Sequence, residues 1–262
     1  MPRTFAVLFA LTAALLAGSP ALANGGKDRG IPAPIPVPAP VPIPESFSYY
    51  LRADLGWGLA GDPSFSEAGA VYGSGVPLTG RSVGTSDVFH GSIGAGTYWT
   101  SRFRTDITLD FRGTQNVDAT ATYVDGAVTG SVREMVKLQG TVGLFNAYWD
   151  LAPRGFFTPY IGAGIGFVYN DIDRLHITTD DSGGPQPVRT GSSSANNFGL
   201  AAALMAGASF SWHHGWVLDV NYRALYMDGG EVTTLLGASA STVEIGGQWE
   251  HQIRIGLRAN LW

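Results

Sequence analysis

The sequence predicts an all-β protein, an eight-stranded antiparallel up-and-down transmembrane β-barrel, on three observations. First, the stretch Gln248 to Trp262 alternates at period two. His251, Ile253, Ile255, Leu257, Ala259 and Leu261 fall on one face; Glu250, Gln252, Arg254, Gly256, Arg258 and Asn260 fall on the other. Second, seven further segments alternate in the same way, and the connections between them are by turns short and long. Bacterial barrels have tight turns at one rim and long loops at the other. Third, aromatic residues collect at both ends of these segments, where amphipathic rings settle at two membrane interfaces. A strand of an aqueous sandwich also alternates. A last strand that ends on Trp262 suits a closed ring, because a free edge in lipid leaves backbone groups unsatisfied.

Composition agrees. The chain has 262 residues, 45% hydrophobic and 14% charged, with 36 glycines, no cysteine and a net charge of −5. Disulfides, thiolate metal sites and thiol nucleophiles are excluded, and nothing in the charge suggests a nucleic-acid partner. Residues 1–23 read as a secretory signal peptide, with Arg3, an apolar run from Phe5 to Ala17 and an A-x-A site at Ala21 to Ala23. Residues 24–47 read as a proline-rich periplasmic spacer. From Ile31 to Pro44 every second residue is proline, which imposes an extended polyproline II rod of roughly 40 Å. It serves as a stiff tether or as a contact with a periplasmic or cell-wall partner. Residues 48–262 form the barrel.

The first strand spans about Ser48 to Leu59, with Tyr49, Leu51, Ala53, Leu55, Trp57 and Leu59 on the apolar face. A glycine- and serine-rich loop follows to Asp87. The second strand (Val88 to Thr100) and third (Arg102 to Gly113) meet at a very short turn. A loop from Thr114 to Glu134 leads to the fourth strand, Met135 to Trp149, where Val136, Leu138, Val142 and Leu144 oppose Lys137, Gln139, Thr141 and Gly143. A short turn leads to the fifth, Phe157 to Tyr169. Then come a loop over 170–195, the sixth strand (Asn196 to Ser211), a turn at His213-His214-Gly215, and the seventh strand (Trp216 to Met227). The loop from Asp228 to Gly247 precedes the eighth. Both termini therefore lie on the short-turn side, expected to be periplasmic. The interface aromatics at that end are Tyr49, Tyr50, Trp99, Trp149, Phe157, Trp212, Trp216 and Trp262.

Three stretches, YYLRADLGWG at Tyr49 to Gly58, TPYIGAGIGFVY at Thr158 to Tyr169 and HQIRIGLRANLW at His251 to Trp262, resemble the porin-like outer-membrane proteins of alphaproteobacteria. These are small surface antigens similar in architecture to the OmpA transmembrane domain. The resemblance implies an outer-membrane location, contact with lipid and lipopolysaccharide, and recognition of the carboxy terminus by the barrel-insertion machinery. It specifies architecture rather than activity. One departure is that Trp262 follows Leu261 and so falls on the opposite parity. A bulge near Ala259-Asn260 would restore it.

A ring of eight strands is only wide enough for side chains to fill its interior. The polar faces supply a lumen charge network of Arg52, Asp54, Arg104, Asp106, Asp110, Arg112, Lys137, Asp219, Arg223, Glu250, Arg254 and Arg258, with Gln139, Asn221 and Gln252 beside them. Buried charges of both signs must pair. The expected function is structural: membrane integrity and the display of four long loops, with the interior plugged by paired charges. A small, weakly selective diffusion channel is the alternative, and the arginine excess would favour anions. A remote alternative is a lipid A-modifying acyl hydrolase. Its His-x-Ser pair would be His90 and Ser92, although no suitable glutamate follows. The glycines of Gly162-Ala-Gly-Ile-Gly166 lie in a strand with no helix after them, so they make room for large neighbours rather than bind a nucleotide. Asp171, Asp173, Asp180 and Asp181 could hold calcium but read as a solvated loop. No enzyme activity, cofactor or metal site is expected.

Overall fold

The structure, a computed structural model, describes residues 49–61, 64–69, 78–152, 154–184, 186–212, 215–236 and 239–261. The signal peptide, the spacer, His213-His214 and Trp262 lie outside the described residues. Twelve strands follow in order: β1 (Tyr49–Ala60), β2 (Phe65–Gly69), β3 (Leu78–Thr85), β4 (Val88–Tyr98), β5 (Phe103–Asp125), β6 (Val128–Asp150), β7 (Phe157–Asp180), β8 (Gln186–Ser211), β9 (Trp216–Met227), β10 (Gly230–Leu236), β11 (Ser239–Ile245) and β12 (Gln248–Leu261). Eight of them close a ring in the order β1-β4-β5-β6-β7-β8-β9-β12, every pairing antiparallel. The expected fold class is the observed one.

The closing pair runs from Tyr49↔Leu261 to Ala60↔Glu250 with no shift of register. The bulge expected at Ala259-Asn260 is therefore absent, and β12 keeps one parity through Leu261. A different bulge does occur. β5 carries one extra residue between Arg112 and Gln115 against β6, at the rim where the barrel proper gives way to its outer extension.

That extension corrects the loops expected over 114–134 and 170–195. β5 and β6 instead continue as a ladder to a turn at Gly126, whose φ of 62° lies in the left-handed region that favours glycine. β7 and β8 likewise pair out to Asp180↔Gln186. The part of β5 beyond Gln115 alone rises roughly 35 Å at the usual strand pitch. β3 joins the extension by pairing with β5. The segment after β9 is a hairpin, β10–β11, that forms a second small sheet with β2.

Alternation sorts the side chains. Leu55, Ile93, Ile107, Ile165, Leu204, Ile253 and Ile255 point outward and are exposed. At the short-turn rim Tyr49, Trp99, Trp149, Phe157, Trp212 and Trp216 are exposed. Toward the other rim so are Trp57, Phe89, Phe111, Tyr169, Phe198 and Trp249. So much exposed apolar surface, in a band between two aromatic belts, suits a hydrocarbon surround rather than water. Tyr50 is a correction: it shares parity with Arg52 and is fully buried in the lumen, so it anchors nothing at the interface. Several inward glycines leave space for neighbours, as the sequence suggested for β7. A Cβ on Gly164 would stand 2.2 Å from Asn146 Oδ1, and one on Gly256 would stand 2.0 Å from Asp54 Oδ1.

Candidate functional site

The lumen is the largest cluster of functional groups, and its two walls differ. β1, β4, β5, β12 and the short-turn half of β9, with Asp150 at the end of β6, make an ionic wall. Starting near the short-turn rim, Arg258 Nε lies 3.1 Å from Asp219 Oδ2, and Arg104 Nε lies 3.4 Å from Asp150 Oδ1. The Arg104 guanidinium sits 4.0 Å above the Tyr148 ring and 4.6 Å from that of Tyr160. Arg52 bridges Asp54 at 2.7 Å and Asp106 at 2.8 Å. Arg254 reaches Asp54 at 3.1 Å, and Arg223 pairs with Asp110. Toward the long-hairpin rim Arg112 pairs with Glu250, and Gln248 Nε2 donates to Gln115 Oε1 at 3.2 Å.

The arginines buried here are Arg52, Arg104, Arg112, Arg223, Arg254 and Arg258; the carboxylates are Asp54, Asp106, Asp110, Asp150, Asp219 and Glu250. Partly buried Arg154 also reaches Asp150, at 3.6 Å, so seven arginines stand against six carboxylates and a small arginine excess remains. Each of the buried groups keeps at least one partner of opposite charge, which a dry interior requires.

The opposite wall is apolar. Val142, Leu144, Tyr148, Tyr160, Val168, Ala201, Ala203, Met205, Leu225 and Met227 form one buried cluster. This corrects the parity of the fourth expected strand. On β6 the even-numbered residues face inward, and Lys137 and Gln139 are exposed on the outer wall. Lys137 pairs across the ladder with Asn116 and Asp173, so it takes no part in the lumen network. The other eleven network residues named from the sequence are buried and inward. Asp150, Asn146, Tyr50, Tyr148 and Tyr160 belong with them but were not assigned to the network.

His90 and Ser92 both point into the lumen, but they do not form a nucleophile pair. Ser92 Oγ donates to Asp54 Oδ2 at 3.0 Å and accepts from Arg254 Nη2 at 2.6 Å. Among the described residues, neither ring nitrogen of buried His90 has a hydrogen-bond partner. Asp171 and Asp173 lie on the outward face of β7, while Asp180 and Asp181 stand at its far end. Seven residues of extended strand separate the two pairs by roughly 23 Å, so they do not converge on one ion.

Beyond the belts, a second apolar cluster joins Val117, Val136, Leu138 and Ile172 to Val232, Val243 and Ile245 of the β10–β11 hairpin. A polar clasp lies beside it. Arg174 donates to both oxygens of Glu134 at 2.8 and 2.7 Å, His176 Nδ1 bonds the same carboxylate, and Arg174 Nη1 donates to Thr234 Oγ1 at 3.2 Å. Burial opposes ionisation of Glu134, but the bonds from His176 and Arg174 outweigh it and hold the carboxyl below its ordinary range. The β10–β11 hairpin thus packs over the outer mouth by both apolar and polar contacts.

No protein-family model matches the chain. An uncharacterized protein of Brucella abortus is 28% identical over 156 residues, which are 53% of this chain and 51% of that one. The chain thus spans about half the length of the curated relatives it first matches. A Rickettsia bellii protein named "Putative adhesin" is 28% identical over 216 residues, covering 80% of this chain and 87% of its own. Among solved structures, the outer membrane protein OprG from Pseudomonas aeruginosa aligns at 12% identity and a TM-score of 0.44, over 83% of this chain and 98% of that one. Neisserial surface protein A aligns at 13% and 0.39, over 81% and 97%.

Proposed function

We propose that this chain is an integral outer-membrane barrel with a sealed lumen, whose role is structural and whose outer strand extensions are its displayed surface. The observation that carries the reading is the filling of the lumen. One wall carries paired charges and the other a packed apolar cluster, which supports a lumen closed to ions and to apolar solutes alike. The lipid-facing stripe partitions into hydrocarbon, the belts set its depth, and the charge network holds the cylinder closed. The extensions of β5 to β8, capped by the β10–β11 hairpin, carry surface away from the membrane. Similarity to a protein named "Putative adhesin" supports display. In this reading the short-turn rim and both termini are periplasmic, the amino-terminal segments serve export and tethering, and the ends are met by the insertion machinery.

The test is conductance of the refolded full chain in a planar lipid bilayer, with insertion established separately by heat-modifiable gel mobility. Silence from inserted protein is the expected result. Steady steps whose ion selectivity changes on altering Arg104 or Arg223 would overturn the seal and make the chain a small diffusion channel.

A further inference from the structure

Among the described residues, a polar pair on the outward face of β9 and β12 is explained by neither the lumen nor the belts. Tyr222 on β9 and His251 on β12 both face outward, their rings stacked 6.0 Å apart at an interplanar angle of 16°. The Tyr222 hydroxyl and His251 Nδ1 are 2.6 Å apart. His251 is exposed, lies opposite Leu59 of β1 and Ala224 of β9, and stands two residues from Trp249. Trp249 packs against Tyr226, ring centroids 5.4 Å apart, in the long-hairpin belt. Tyr222 is deeper, opposite Ile253.

That depth assigns the proton. Among the described residues the imidazole is the hydrogen-bond partner of the Tyr222 hydroxyl. If the ring donated instead, the phenolic O–H would be left in hydrocarbon without an acceptor, which is costly. With Tyr222 donating to Nδ1, Nε2 is the ring's remaining donor. No described residue accepts from Nε2, and the ring stands at the level of the aromatic belt, where lipid headgroups lie. We propose that His251, oriented by Tyr222, is a contact for the phosphate of a membrane lipid at the long-hairpin interface. The Nε2–H supplies a directed donor there, and a phosphate oxygen is the strongest acceptor that interface offers. The inference rests on the membrane reading above and adds to it a named lipid contact.

The experiment uses the full chain with 15N-labelled histidine, folded into phosphatidylglycerol vesicles. Solid-state NMR measures dephasing of each protonated histidine nitrogen by lipid phosphorus. The chain has five histidines, and one dephased resonance is expected that disappears in His251→Phe. That variant keeps an aromatic ring on the lipid face and so preserves the barrel. In Tyr222→Phe the same resonance should weaken, because nothing then fixes the orientation of the ring toward the phosphate. An inserted, heat-modifiable protein with no phosphorus-dephased His251 signal would overturn the contact alone. A chain that failed to insert would overturn the membrane reading and this inference with it.

Discussion

Asp106 is the most heavily used acceptor in the lumen, and its replacement by asparagine tests whether the charge network holds the barrel closed. Oδ2 accepts from Arg52 Nη1 at 2.8 Å and from the Tyr50 hydroxyl at 3.0 Å. Oδ1 accepts from Asn146 Nδ2 at 2.8 Å and from the Tyr148 hydroxyl at 3.3 Å. An amide of the same shape keeps one acceptor and turns a second donor toward groups that already donate. It also removes half of the counter-charge of Arg52, which keeps Asp54 at 2.7 Å. Breaking a buried pair by removing one partner costs about 3–5 kcal/mol, and the surviving Asp54 places this case near the lower end, at about 3 kcal/mol. The assay is equilibrium unfolding by urea in lipid vesicles, followed by tryptophan fluorescence and heat-modifiable mobility. Asp171→Asn, on the outer face of β7, serves as control and should stay within about 0.5 kcal/mol of wild type. Adding Arg52→Met to Asp106→Asn should cost less than Arg52→Met alone, by a coupling of about 1–3 kcal/mol. If Asp106→Asn loses no more than the control, the lumen charges do not hold the ring, and its stability comes from the ladders and the lipid face.

Other outcomes follow from the same geometry. A Cβ on Gly166 would stand 1.9 Å from the Gly143 carbonyl oxygen, which is backbone and cannot swing away. Gly166→Ala should therefore cost about 1–3 kcal/mol, whereas Gly84→Ala, with nothing within 4 Å of its Cβ, should stay within about 0.5 kcal/mol, both measured in the same unfolding assay. Val243 is 3% exposed in the cluster that seats the β10–β11 hairpin. Val243→Asp should release the hairpin and raise its proteolysis by about two orders of magnitude, with heat-modifiable mobility retained. The Glu134 carboxyl is held below its ordinary value of 4.5. Its contribution to the clasp is thus complete above that value and disappears as pH falls through the lower, folded value. Hydrogen exchange in the outer parts of β6 and β7 should be flat from pH 7 to 5 after correction for intrinsic rate, then accelerate in stronger acid. Glu134→Gln should remove the acid transition; a transition unchanged in that variant would assign it elsewhere.

The ring was legible because lipid and lumen impose opposite chemistry on alternate residues. Where one face held arginines and carboxylates, as on β1, β5 and β12, parity followed at once. On β6 it did not, because both faces are apolar. Val142 and Leu144 face a packed lumen while Phe145 faces outward, and periodicity carries no sign that tells an oily interior from an oily exterior. Asn146, Tyr148 and Asp150 on one parity, against the belt residue Trp149 on the other, were the decisive signal. The outer hairpins were missed for a different reason. Val117, Ala119, Ala121 and Tyr123 alternate as a strand should, and Asp125-Gly126 is a hairpin turn signal, but Asp118, Thr120 and Thr122 between them read as loop composition. Polar strands are poorly marked when they stand clear of the membrane and only one face meets a core. The clasp of Glu134, Arg174 and His176 was beyond reach, since it depends on the β6–β7 register far from the barrel.

The two-walled lumen bears on how such a chain could ever conduct. In a lumen lined only by ion pairs, one pair can exchange partners and open a wet path, because every displaced charge finds another nearby. Here an exchange on the ionic wall would leave the opposite wall occupied by Leu144, Val168, Met205 and Leu225, which belong to one buried cluster. Burial tightens the constraint: moving one arginine away leaves its carboxylate short of a partner in a dry site, at a cost of several kcal/mol. Opening would require both walls to move together, and above them the β10–β11 hairpin to leave the mouth. On the reading proposed above, these three concerted barriers make the lumen a structural core, and the groups that meet other molecules are those on the outer hairpins and on the lipid face.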